Sequence, residues 1–267
     1  MDPTTVLSQA RSALEATARR TAGLIRSLPD LDGRIPTSEW TVREAAVHLV
    51  NQAGLHTEIA EGLASPIGSV AREALAAENA ARIADIPEAG AEKVASLLTD
   101  AVAGLLEATA NRSAHQPVQF HAGVSLDLAA LVCISLGEQL LHGYDIATAL
   151  GAPWPIEPVH ADLVIYGYGP YYGSMVDPET AHGVTAGFGI DLRGGSSFTV
   201  RFNDGSYRLE PPRSGPVDCS ISVDPVAFLL MWSGRMSPWE AIALNLYVAD
   251  GQDSRLGLHF MELFAYP

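Results

Sequence analysis

The stretch LGEQLLHGYDIATALG, residues 136 to 151, decides how the chain is read. It is apolar and helix-favouring, yet it places Glu138, His142 and Asp145 at intervals of four and three. On a helix these positions form one vertical row. Three ionisable groups among Leu136, Leu140, Leu141 and Ile146 are costly to bury unless something pairs with them. Glu138 and His142, one turn apart, stand about 6 Å apart at Cβ and can converge on one ion. One carboxylate and one imidazole are too few to hold a divalent metal tightly, so a third ligand must come from another helix.

Working outward, the chain up to about residue 151 reads as helices. Leu7, Ala10, Leu14, Ala18, Thr21, Ile25 and Leu28 recur every three or four residues, the pattern of a long amphipathic helix. WTVRE announces the next one. Thr41 can cap it, Glu44 completes a capping box, and Trp40 can pack over the first turn. Residues 66–85 and 90–111 are again rich in Ala and Leu, interrupted by Pro66 and Pro87. Residues 112–124 form a longer link with His115 and His121. SLDLAALVCISLGEQLLHGYDIATALG closes the run, with Gly151 as a C-cap before Pro153 and Pro155. Short connections between helices of this length favour an antiparallel bundle. In the helix that starts at Val42, His48 shares a face with Ala45, Leu55 and Ile59, which points it into the bundle. It is the candidate third ligand. Two histidines and one glutamate with an open position is a catalytic zinc arrangement, and helical bundles build such sites in their cores.

After GAPWPIEP the character changes. A helix over about 158–176 is followed by strand-like GVTAGFGIDLRG, SSFTVRF and SYRLEPP. FTVRFNDGSYRLE alternates on either side of Asn203, Asp204 and Gly205, a strong hairpin signal. DCSISVD and NLYVADG read as further strands, while PVAFLLMWSGR, SPWEAIAL and the last dozen residues read as helices. The second half is therefore α+β around a mostly antiparallel sheet, and the chain is a multidomain protein.

Composition narrows the function classes. A net charge of −15 offers no basic field to attract nucleic-acid phosphates, and an anionic substrate would need a locally positive site. No apolar run approaches the roughly 18 residues of a bilayer span, and the N-terminus lacks the basic and apolar segments of a secretory signal. A cytoplasmic protein acting on small molecules, a monomer or homodimer, is expected. Cys133 and Cys219 are isolated, which suits buried thiols rather than a disulfide framework.

Each candidate ligand also has a plainer reading, since a buried histidine is more often a hydrogen-bonded part of a core. His56 is two turns from His48, too far to share an ion, and His115, His121, His160, His182 and His259 lie in loops or lack a partner in the sequence pattern. Asp145 serves either to orient His142 from outside the ligand set or to make an ordinary interhelical hydrogen bond.

WTVREAAVHL, followed 90 residues later by EQLLHGYDIATALG, resembles the mycothiol-dependent maleylpyruvate isomerase family, DinB-like metalloenzymes of actinobacteria. DCSISVDPVAFLLMWSGRMSPWEAIALNLYVADG resembles the sterol-carrier-like domain often appended in that family. The scarcity of lysine, with Lys93 the only one, suits a GC-rich source. The resemblance implies an all-α DinB-like four-helix bundle over residues 1–153 and an α+β sterol-carrier-like domain over 154–267. It implies a divalent metal, zinc, on His48, Glu138 and His142, and mycothiol as thiol cosubstrate.

A metal-held thiolate adding to the cis double bond of an unsaturated keto acid would give a cis–trans isomerase. The same site would serve a thiol S-transferase acting on an electrophile, in detoxification or natural-product biosynthesis. A third reading is a non-enzymatic protein that binds metal and a small molecule. A dicarboxylate substrate would call for an arginine, with Arg82, Arg201, Arg208 and Arg235 as candidates. The cluster YGYGPYYG, residues 166 to 173, either lines a pocket or packs. It is not part of the family pattern.

Overall fold

A computed structural model describes residues 1–36, 38–64, 68, 72–86 and 89–265. The chain forms two compact units, residues 1–156 and 157–267.

In the first unit α1 (Pro3–Arg26), α2 (Val42–Glu61), α4 (Ala91–Ala108) and α5 (Leu128–Ala149) form the bundle. Each of α1 and α2 packs on both α4 and α5, which closes the four-helix ring. The shorter α3 (Arg72–Ala84) lies against α2. The expected helix over 66–85 therefore begins later, and most of its first residues lie outside the described ones. The caps are those the sequence carries. The Thr41 Oγ1 accepts from the Glu44 amide at 3.2 Å, and the Thr41 amide donates to the Glu44 carboxylate at 2.7 Å. Gly151, at φ 61°, turns the chain just past the end of α5. Most residues of α5 are buried, and it is the helix that carries Glu138 and His142.

The long link expected over 112–124 contains structure. Strands β1 (Pro117–Gln119) and β2 (Ser125–Asp127) pair antiparallel around a 3-10 turn at His121–Gly123. The strands are three residues long, too short to show an alternating pattern. Val118 and Leu126 face each other across the pair and are both buried.

In the second unit α6 (Pro158–Tyr168) stops well before the expected residue 176, at Gly169 and Pro170, and a 3-10 turn follows at Tyr172–Met175. The sheet comprises β3 (Ala186–Leu192), β4 (Ser197–Asn203), β5 (Ser206–Glu210), β6 (Cys219–Val223) and β7 (Tyr247–Asp250), in the order β5-β4-β3-β6-β7. Only the β3–β6 pair is parallel. The β4–β5 hairpin turns on Asp204 and Gly205, both with positive φ (49° and 78°), as a two-residue loop between twisted strands requires. Helices α7 (Pro225–Trp232), α8 (Pro238–Ala243) and α9 (Arg255–His259) complete the unit, the last continuing into a 3-10 turn. Phe188, Phe228 and Phe260 are fully buried in its core. The Tyr/Gly cluster packs. Tyr171 and Tyr172 are buried, and the Tyr172 ring lies 3.6 Å from that of Trp232.

Candidate metal centre

The capping box starts α2 at Val42 and so sets which turn faces inward. His48 falls on that inward face and is buried, 5% exposed. From α5, Glu138 and His142 meet it. His48 Nε2 lies 3.1 Å from Glu138 Oε2, and His142 Nε2 lies 3.6 Å from the same oxygen. One ligand atom from each of the three residues lies within 4.8 Å of the other two. Three atoms bound at about 2.1 Å to one tetrahedral ion stand roughly 3.4 Å apart. The two distances to Glu138 already bracket that value, so the residues fit a divalent cation.

Burial and mutual hydrogen bonds shift the ionisable groups of the cluster. Burial lowers the His48 pKa, against the pull of its hydrogen bond with Glu138. Burial alone would raise the Glu138 carboxyl. The hydrogen bond from His48, and then the charges of His48, His142 and His56, outweigh it and hold Glu138 well below the usual carboxylate range. The buried Asp145 carboxylate accepts from His142 Nδ1 at 3.0 Å. With that proton fixed on Nδ1, Nε2 keeps its lone pair on the side of Glu138.

Other residues stand apart from the trio. His56 is fully buried, with Nδ1 2.6 Å from Ser135 Oγ. The Ser135 hydroxyl donates to the Leu131 carbonyl, so it accepts its second bond from His56 Nδ1–H. His121, expected in the 112–124 link, lies in its 3-10 turn and is buried beside Phe120, ring centroids 4.3 Å apart. His259, expected without a partner, pairs at the surface with Glu262. Arg82 donates to Glu78 one turn back, and Arg235 Nη1 donates to the Ser233 carbonyl. Arg201 is committed to Glu210 and the carbonyls of Ser214 and Pro216, while Arg208 is exposed opposite it on β5. Cys133 and Cys219 are both buried, and burial raises the Cys219 thiol, which holds it protonated.

The residue missed from the sequence is Trp40. Its indole lies 4.8 Å from the His48 ring and 5.6 Å from that of His142, so it packs against the two histidines of the cluster. An aromatic residue just before the capped helix that carries a candidate ligand was the available signal.

No curated protein matches the chain. Solved structures similar to it include the following two. One is a histidine-to-alanine mutant of the mycothiol-dependent maleylpyruvate isomerase, 16% identical, with a TM-score of 0.55 over 94% of this chain and 93% of that one. The other is the mycothiol-dependent maleylpyruvate isomerase, 17% identical, with a TM-score of 0.52 and the same coverage. At these identities the likeness is one of fold. Residues 176–265 match the SCP-2 sterol transfer family. Residues 14–147, half of the chain and all three members of the cluster, match the mycothiol maleylpyruvate isomerase N-terminal domain, and the chain belongs to that family.

Proposed function

We propose that the protein is a metal- and thiol-dependent enzyme in which His48, Glu138 and His142 hold one divalent cation, zinc or a similar ion. The observation that carries this is the convergence of two imidazole nitrogens and a carboxylate oxygen within 4.8 Å from two helices. In this reading the metal-binding unit is residues 1–153 and the sterol-carrier-like domain is residues 154–267. When bound, a divalent cation with an open position lowers the pKa of a thiol at that position, which makes thiolate available at neutral pH.

The side chains of the cluster have distinct parts. His48 and His142 each offer Nε2, Glu138 offers one oxygen, and Asp145 keeps the His142 proton on Nδ1. The cosubstrate is a low-molecular-weight thiol, mycothiol by family, and the substrate is an unsaturated keto acid or another electrophile. In the isomerase case the thiolate sulfur bonds to one alkene carbon, and the alkene electron pair moves onto the conjugated carbonyl as an enolate. The new single bond rotates. The enolate then collapses, expels the same thiolate and leaves the trans alkene, with no net proton or electron consumed.

Metal content and thiol-binding calorimetry on wild type and His142→Ala test the reading. About one equivalent of divalent metal is expected in the wild type, lost in the variant together with thiol binding. Unchanged metal content in the variant would overturn the assignment. With an electrophile in hand, thiol consumed into a stable adduct identifies an S-transferase, and thiol needed only in catalytic amount identifies an isomerase.

A further inference from the structure

The two histidines of the cluster are held in different ways. His142 is held on its outer side, with Nδ1 donating to Asp145 at 3.0 Å, while its Nε2 lies 3.6 Å from Glu138. His48 has one directional contact, the 3.1 Å bond from Nε2 to Glu138. Among the described residues its Nδ1 has no hydrogen-bond partner. A metal-binding histidine ordinarily gives its second nitrogen to a carboxylate, a carbonyl or water, which fixes the ring plane. An indole packs beside the His48 ring. The Trp40 and His48 rings are 4.8 Å apart at 49°, and His142 meets His48 edge-on at 4.9 Å and 79°.

The indole is itself anchored from outside α2. The Trp40 carbonyl accepts from the Ile35 amide at 3.0 Å, and the Trp40 amide donates to Ser38 Oγ at 3.1 Å. The next residue, Thr41, bridges to Arg34 and then caps the helix. The ring that leans on His48 therefore starts from a backbone held on both sides.

We propose that Trp40 is a positioning residue for His48, replacing by ring packing the outer hydrogen bond that Asp145 supplies to His142. This rests on the metal reading above. Without the indole the imidazole is free to turn about its Cβ–Cγ bond, which carries Nε2 away from Glu138 and breaks the trio.

The test uses the full-length protein with Co²⁺ as the probe, its affinity read by chelator competition and its coordination by visible absorption. Thermal melting of the metal-free proteins is recorded in parallel. Trp40→Ala is expected to bind Co²⁺ about 10- to 100-fold more weakly, the loss typical when an outer-shell partner is removed, with an altered visible spectrum. Trp40→Phe, which keeps a flat ring, is expected to restore both. Wild-type affinity and spectrum in Trp40→Ala, with only a lowered melting point, would mean that the indole merely packs over the start of α2, and would overturn the proposal. Should Trp40→Ala fail to fold, Trp40→Leu decides in the same way, since it keeps apolar bulk without a planar face. No uptake of Co²⁺ by the wild type would overturn the metal reading and this inference with it. Equal uptake by wild type and variants would overturn this inference alone.

Discussion

Protonating His56 would place a positive charge in the core of the bundle. Burial pushes its pKa from 6.5 down to about 4, and the Glu138 charge opposes this only in part. The unfolded chain takes up a proton near pH 6.5 and the folded chain only near pH 4. Between these values the unfolded state binds more protons, so stability rises with pH and is lost as pH falls through the window. Across the whole window, from above pH 6.5 to below pH 4, the difference amounts to about 3 kcal/mol. Urea denaturation at pH 7 and pH 5 checks this, with the midpoint expected to fall on acidification. His56→Gln should weaken that dependence, with the remainder owed to His48 and His121, whose pKa values burial also lowers, and an unchanged slope in the variant would place its origin elsewhere. At this scale the sequence carries local relations and misses distant ones. The Glu138, His142 and Asp145 row follows from spacing along one helix. The His56–Ser135 bond depends on the register of α2 against α5, which no local pattern encodes.

Helices declare themselves through periodicity and caps, so the Thr41 capping box and the amphipathic run of α1 were readable before any coordinates. The β4–β5 hairpin was readable for a similar reason, because Asp204 and Gly205 are residues that accept positive φ. The β1–β2 hairpin was not, since its three-residue strands owe their stability to burial of Val118 and Leu126 rather than to local preference. Inside α5, Gly143 has a role that spacing does not show. Trp154 donates from Nε1 to the Leu140 carbonyl at 2.9 Å, with the Arg20 guanidinium 3.7 Å above its ring. A Cβ at position 143 would come 2.2 Å from Trp154 Cζ2. Gly143→Ala is therefore expected to destabilise the bundle by about 1–3 kcal/mol, the usual cost of overpacking. A thermal or denaturant midpoint equal to that of the wild type would show that Trp154 yields without cost.

The change of character in the second half was legible because, beyond α6, helical periodicity gives way to alternation, and the division between the two compact units falls after Ile156. Among the described residues no helix is long and apolar enough to cross a membrane. The order in which the four bundle helices occur along the chain has a consequence for biosynthesis. α1 packs most extensively against α5, the last of the four to leave the ribosome, and α5 brings two of the three clustered side chains. A nascent chain halted at residue 127 has an open apolar cleft where α5 belongs. It should bind a hydrophobic dye and unfold without a cooperative transition. Until the bundle's last helix arrives, the growing polypeptide exposes apolar surface, and the three side chains of the proposed metal site cannot come together.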